Sequence, residues 1–291
     1  LRLSNSAQVS GYALQVKGTL DVDNSSHVGE VGARVHEVHV RGGCRREGVG
    51  AYVTPCSSSQ NVYADVSDAS TTDFTKPPVD LASWYANAMP GPRHGCTTGS
   101  FPGGFDNDLL RNNSRPAVDL LPSTGYDCRV YDAQNNLVGQ ITWSPVTQRL
   151  LIHGTIYFDG PIQFQNSNSA IYSGRGTIYS SGNITFANST TLCGDPECDA
   201  DWNATQNLLA FVSGGDVSTA NSTRFQGAVY AVNDYSEANS STVWGPIIAR
   251  RVSFANSSVN HYVPIGTLMP GMPATYEDVV TIANEPGSWG G

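Results

Sequence analysis

Charge is scarce in this chain. Only 14% of its 291 residues are Asp, Glu, Lys or Arg, the net charge is −9, and no run of Lys or Arg exceeds a pair. That balance leaves no footprint for nucleic acid or an anionic membrane, and no basic cluster of the kind that holds acidic sugars. No stretch of about 18 apolar residues is present, so no membrane-spanning helix is expected in this chain. A signal-peptide pattern is missing at Leu1, and the chain reads as a mature or processed product. Cys-x-x-Cys is absent, as is any His at zinc-finger spacing, which excludes the common structural zinc sites. What cysteine there is comes to six, an even number. Their proximity in sequence suggests the local pairs Cys44–Cys56, Cys96–Cys128 and Cys193–Cys198, although six cysteines allow fifteen arrangements. Together with a surface rich in Ser, Thr, Asn and Gly, they point to an oxidising, extracellular setting.

Against that plain background one pattern stands out, a sentence written more than once. GTIYFDGPIQFQNS (Gly154 to Ser167) recurs as GTIYSSGNITFANS (Gly176 to Ser189), and the theme continues in LAFVSGGDVSTANS, GAVYAVNDYSEANS and GPIIARRVSFANS. The recurring Asn166, Asn188, Asn221, Asn239 and Asn256 lie 22, 33, 18 and 17 residues apart, the long gap holding the insertion CGDPECDADWN. Within each copy, apolar residues such as Ile156, Ile162 and Phe164 alternate with small or polar ones, the period of a half-buried strand. A unit of roughly 20 residues cannot bury its own apolar face, but stacked units share one long core. β-branched residues and Gly turns argue against helical repeats. The expected fold is therefore all-β, a parallel β-solenoid with Ile156, Ile178, Phe211, Val229 and Ile247 in one inward row, and with an irregular, loop-rich lateral insertion.

Four segments follow: irregular β coils over 1–66, a loop-rich insertion with one short helix (VDLASWYANAM) over 67–142, regular solenoid over 143–262, and a Pro/Gly-rich tail over 263–291. The recurring Asn supports two compatible readings. Stacked amides can bond along a solenoid axis, and Asn24, Asn112, Asn183, Asn188, Asn203, Asn221, Asn239 and Asn256 each begin Asn-x-Ser/Thr, the acceptor pattern for N-glycans. Asn183 and Asn203 are expected on turns.

Other candidates are weaker. His36-Glu-Val-His39 is one residue short of the zinc-protease motif and reads as strand, where residues three apart face opposite ways. Asp199, Asp201 and Asn203 begin like a calcium loop, but Ala204 and Ala210 stand where Gly and Glu belong. No metal or other cofactor is expected beyond that weak site. Cys193 and Cys198 have no flanking base to activate a thiol, so a staple is the better reading. Asp106/Asp108 and Asp159/Asp216 could suggest a polysaccharide-cleaving β-helix, yet no coil carries adjacent acids. Trp84, Tyr85 and Trp202 would suit sugar stacking in a glycan-binding adhesin, or packing under loops.

The stretches WYANAMPGPRHGC, FDNDLL, LLPSTGYDC, GQITWSPVTQRLLIHGTIYFDG, YSGRGTIYSSGNITF and FQGAVYA, with an echo in GPIIARRVSFANSSVNHY, resemble the PilX-like proteins of bacterial type IV pilus systems, in the large solenoidal forms of actinobacteria and related lineages. The resemblance spans about half the chain, roughly Pro78 to Ala231. It implies a non-catalytic, pilin-like subunit of a cell-surface filament, acting by self-association or with a separate pilin. LRLSNSAQVSGYALQ departs from the pilin pattern, because it cannot form the hydrophobic helix on which pilins assemble. That helix would have been cut away, or would come from a second chain docked near Leu1 to Val40.

Overall fold

The computed structural model describes residues 12–29, 35–46, 48–68, 94–99, 116–131, 135–158, 160–198, 202–261 and 263. Among these the regular structure is almost wholly strand, with a single 3-10 turn at Ser58–Gln60. The expected helix over VDLASWYANAM, the pair Asp106/Asp108, Trp84, Tyr85 and nearly all of the C-terminal tail lie outside the described residues.

Each coil lays down strands on three faces. Ala170–Ser180 runs across the first two: its start pairs in parallel with Thr191–Gly194 and its end with Leu208–Ser213. The long insertion noted in the sequence lies between those two strands and splits them. The third face stacks Ile162–Phe164, Ile184–Phe186, Val217–Thr219, Asp234–Glu237 and Arg251–Phe254 in parallel register. Parallel stacking pairs each coil's peptide groups with the next, so a chain of short repeats leaves few orphan donors.

The expected inward row is present. Ile156, Ile178, Phe211, Val229 and Ile247 are successive register partners on the second face, all buried. It extends further to Leu14 and Val38. Phe211 meets Phe164, Phe186 and Phe225 at ring-centroid distances of 5.2, 5.7 and 5.1 Å, an aromatic cluster at the centre of the prism. The outer row of this face is buried as well: Tyr157, Tyr179, Val212, Tyr230 and Ile248 are at most 3% exposed. The second face is thus enclosed on both sides, which leaves the other two to meet solvent.

Chain order and spatial order part company at the N-terminus. The early strands do not begin the solenoid; they extend it beyond its last C-terminal coil. Tyr12–Val16 lies between Ile247–Ala249 and Val35–Val40, and Leu20–Val22 between Arg251–Phe254 and Cys44–Arg46. LDVDNSSHV, expected among irregular coils, is accordingly a further copy of the repeat. Both edges of these strands are taken by the chain itself, so a second polypeptide docked near Leu1 to Val40 would find no free strand edge on Tyr12–Val16 or Val35–Val40.

The segment read as a lateral, loop-rich insertion is, in its described part, an end cap of strands. Tyr126–Tyr131 and Leu137–Ser144 pair antiparallel, and the latter pairs antiparallel with Arg149–Phe158, the first strand of the regular coils. His94–Thr98 adds to the outside of Tyr126–Tyr131. Leu120, Tyr126, Ile141 and Trp143 plug the core beneath, held by Tyr126 Oη donating to the Leu120 carbonyl (2.9 Å) and Trp143 Nε1 to that of Pro122 (2.8 Å). The boundary placed after residue 142 falls inside the strand Leu137–Ser144.

Candidate functional site

The repeated sentence builds the exposed third face. Its middle position is a half-exposed hydroxyl in four successive coils, Thr185, Ser218, Ser236 and Ser253. Beside it run Ala187, Ala220, Ala238 and Ala255, and at the corner the exposed Asn188, Asn221, Asn239 and Asn256, joined by Asn24. Adjacent coils are about 4.8 Å apart, so these columns form a flat lattice of hydroxyl, methyl and amide, with charge entering the face at Asp234, Arg251, Asp21, Arg45 and Arg46.

The corner explains why Asn-Ser-Ser/Thr keeps recurring. Asn188 Oδ1 accepts the main-chain N–H of Asn221 (3.2 Å), and Asn221 Oδ1 accepts that of Asn239 (3.1 Å). The ladder is therefore side chain to main chain rather than amide to amide. The next residue, Ser189, Ser222, Ser240 or Ser257, sits at φ of 58 to 60°, a left-handed conformation that costs a non-glycine residue energy. A ladder bond offsets it: the N–H of Ser189, Ser222 and Ser240 each donates to an Asn carbonyl of the neighbouring coil at 2.8–2.9 Å. The third residue, Thr190, Thr223, Ser241, Ser258 or Ser26, is buried and its hydroxyl donates to an Ala carbonyl, that of its own turn for Thr190 and Thr223 and that of the neighbouring coil's turn for Ser241, Ser258 and Ser26. Asn-x-Ser/Thr here is first of all a turn motif.

The remaining sequons differ. Asn183 is exposed ahead of a strand, its Oδ1 accepting the N–H of Asp216 (2.9 Å). Asn203 is exposed at the start of a turn, its Oδ1 accepting both the N–H (3.0 Å) and the hydroxyl (2.6 Å) of Thr205. Asn112 lies outside the described residues, as do Asp199 and Asp201 of the calcium candidate and Asp159. No group of three or more His, Cys, Asp or Glu that could hold a metal occurs among the described residues. His39 is half-buried on Val35–Val40, a strand, as the sequence reading of His36 to His39 requires.

Trp202 is not a sugar platform. It is buried, its Nε1 donates to the Asn207 carbonyl (2.8 Å), and it fills the space beside Gly194 where a Cβ would collide with it.

All three disulfides pair as expected: Cys44–Cys56, Cys96–Cys128 and Cys193–Cys198. Cys96–Cys128 ties the outer strand of the cap to its neighbour, the two residues being register partners. Cys193–Cys198 closes the root of the long insertion, which an ion pair from Arg149 to Asp195 (3.2 Å) also holds. Cys44–Cys56 does something further. It holds a loop that folds back so that Val53 pairs antiparallel with Cys44, covering the edge of Cys44–Arg46 where the third face would otherwise end open. Tyr52 donates to Asp21 (3.0 Å) and lies under the Arg45 guanidinium, 4.5 Å from ring centroid, while Arg45 bonds Asp21 (2.8 Å). An uncovered edge recruits other strands. Replacing Cys44 and Cys56 by Ala is expected to lower stability by about 2–4 kcal/mol and to produce concentration-dependent association. Urea denaturation and sedimentation velocity check the two effects; an equally stable monomer would remove the loop's capping role.

One carboxyl is buried where three other copies of the repeat place Phe. Glu237 is the register partner of Thr219 and Phe254, is 2% exposed, and its Oε1 accepts from Tyr235 Oη (2.7 Å), while Oε2 has no partner. Burial pushes its carboxyl up to about 8, with the Tyr235 hydrogen bond acting the other way. Among the described residues its ionisable partner is Tyr235, and it faces the core. Aligning the copies shows this position as Phe164, Phe186, Thr219, Glu237 and Phe254, a signal available in the sequence but not read there.

The sequence also hid a basic corner. Where the second face turns into the third, Arg250, Lys17 and Arg41 occupy equivalent places in three successive coils, linked by ladder bonds from the N–H of Lys17 to the Ala249 carbonyl (3.1 Å) and of Arg41 to that of Val16 (3.0 Å). The reading that no Lys/Arg cluster exists fails here, because residues 17, 41 and 250 meet only when the N-terminal coils add to the C-terminal one.

Comparison with known proteins adds little. A family model described as a domain of unknown function, DUF7305, matches residues 153–265, the regular coils. No curated protein matches. Among solved structures, a glycosylated ice-binding protein from an Arctic yeast is 12% identical, covering 90% of this chain and 96% of its own, with a TM-score of 0.41. The ice-binding protein_1 domain of Shewanella frigidimarina is 14% identical over 87% and 94%, TM-score 0.40. The competence-associated pilin ComZ of Thermus thermophilus is 14% identical over 94% and 74%, TM-score 0.46. Likeness this distant transfers no ligand and no partner.

Proposed function

We propose that this protein is an extracellular structural component of a type IV pilus-like filament, displayed at the cell surface and without catalytic activity of its own. The observation that carries the reading is the closed, stapled solenoid. Three disulfides suit an oxidising compartment, and stacked coils with few exposed peptide groups suit a protein that must last outside the cell. The capped ends bear on how it assembles. The Val53 loop covers the third-face edge at one end and the antiparallel cap adds to the second face at the other, so coil-on-coil stacking of copies through the third face at the Val53 end is disfavoured, and attachment is assigned to lateral faces or to a separate apolar-helix subunit. Glycans, where the source cell adds them, fit the independent turn at Asn203 and the exposed Asn183 better than the crowded corner ladder.

Electron microscopy of shear-released surface material, with this chain located by antibody, tests the reading. Labelled filaments containing a second small polypeptide with one strongly apolar end are the expected result. A soluble monomer without filament association sinks it.

The adhesin reading loses Trp202 as its anchor, since that side chain is buried, but gains the basic corner of Arg250, Lys17 and Arg41.

A further inference from the structure

The corner formed by Arg250, Lys17 and Arg41 is an unusual use of charge for this protein. Side chains at equivalent places in adjacent parallel strands stand about 4.8 Å apart, and like charges placed so repel one another. The fold does not require them. In the preceding coils the same column is Ser181, Gly214 and Val232, following the register partners Ser180, Ser213 and Ala231. All three cations are exposed.

The surrounding charges pair the Arg250 end of the row and leave out Lys17 and Arg41. Asp234 is fully engaged, bonding Arg250 (3.0 Å) and Arg251 (2.5 Å) together; burial opposes its ionisation, and the hydrogen bonds from Arg251 and Arg250 outweigh that and hold its carboxyl below the usual range. Asp21 is taken by Arg45 (2.8 Å). Asp216 interacts with Arg251 only at longer range. Lys17 and Arg41 have no carboxylate partner among the described residues, and Arg46, on the same coil as Arg41, bonds only Asn24. Arg250, Arg251, Lys17 and Arg41, four of the sixteen Lys and Arg residues of an acidic protein, thus gather along one edge of three coils.

We propose that this edge binds an anionic polysaccharide, an extended chain carrying a carboxylate or sulfate on its repeating units, laid along the solenoid axis across Arg250, Lys17 and Arg41. The row is straight because the coils are in register, so it presents charge in a line rather than as a point. The adjoining third face supplies the half-exposed hydroxyl of Ser253 for the sugar. Nucleic acid fits less well, because single strands are held by aromatic stacking as well as charge, and the exposed aromatic ring nearby, Tyr52, is already occupied by Arg45. The inference does not depend on whether the chain joins a filament.

The test measures binding of polygalacturonate, heparin and a single-stranded oligonucleotide to the full chain at several salt concentrations. Lys17→Gln with Arg41→Gln is compared with Arg149→Gln, which removes an exposed cation far from the edge. Thermal melting shows whether each variant is folded, and Lys17→Arg with Arg41→Lys keeps the charge. Salt-sensitive binding of polygalacturonate or heparin, weakened about tenfold in the double Gln variant and retained in the other two, is expected. No binding at low salt, equal loss in Arg149→Gln, or preference for the oligonucleotide would overturn the proposal.

Discussion

Glu237→Gln should be more stable than the parent protein at pH 8, by about 2–4 kcal/mol, and should lose most of the parent's sensitivity to pH between 5 and 8. The folded carboxyl is raised from 4.5 to about 8, first by burial. Below pH 4.5 the group is protonated in both folded and unfolded chains, and its contribution to stability is fully present. As pH rises past 4.5 the unfolded chain releases the proton while the folded one retains it, so stability falls until the folded group ionises near pH 8. At 1.36 kcal/mol per pH unit the whole loss approaches about 5 kcal/mol. Gln removes that loss but buries an amide lacking an acceptor, worth about 1 kcal/mol, which sets the expected net gain.

Other carboxyls act elsewhere on the scale. For Asp127, burial opposes the charge, but hydrogen bonds from Thr97, Thr142 and Gln140 outweigh it. Its folded value is lowered, as is that of Asp234, so both contribute stability above the ordinary carboxylate range that is lost only as pH falls through their depressed values. Asp119, raised by burial, works in the same direction as Glu237 and remains in the variant. Urea midpoints at pH 5, 6.5 and 8 decide the matter. Parallel decline in parent and variant would show that Glu237 is not the source.

The sequence made the coils legible because a solenoid repeats its constraints. Each copy must place an apolar residue inward at the same phase, so Ile156, Ile178, Phe211, Val229 and Ile247 could be aligned by eye. The disulfides were legible for a related reason, since each closes a local loop. What could not be read was spatial order. Nothing near Leu14 says that it pairs with Ile247, because the ladder bonds are made by backbone groups that are alike in every residue. The basic edge was lost with that order, its members being remote in the chain. The Asn-Ser-Ser/Thr pattern was seen but divided between two meanings, and only the positive φ of the central Ser and the buried third hydroxyl show that turn geometry accounts for it. Glu237 escaped because the repeat was read for what its copies share rather than for the column where one of them differs.

Phe211→Ala tests the core that this repetition builds, and a loss of about 3–5 kcal/mol is expected. Phe211 is fully buried and touches rings from three strands: Phe164 and Phe186 of the third face and Phe225 of the first. Removing it opens a cavity where the three faces meet, and strands pinned by ladders above and below cannot collapse into it. The damage should also spread, because each coil of a solenoid is stabilised chiefly by its two neighbours. Weakening the coil of Phe211 therefore loosens its contact with those of Ile178 and Val229 together. Ser218→Ala provides the contrast within the same coil. Its side chain points outward from the third face, and its replacement should change stability by no more than about 0.5 kcal/mol. Urea denaturation of both variants, followed by circular dichroism, checks the difference. Comparable losses at the two positions would mean that Phe211 does not form the shared core, and that the coils are held together mainly by their backbone ladders.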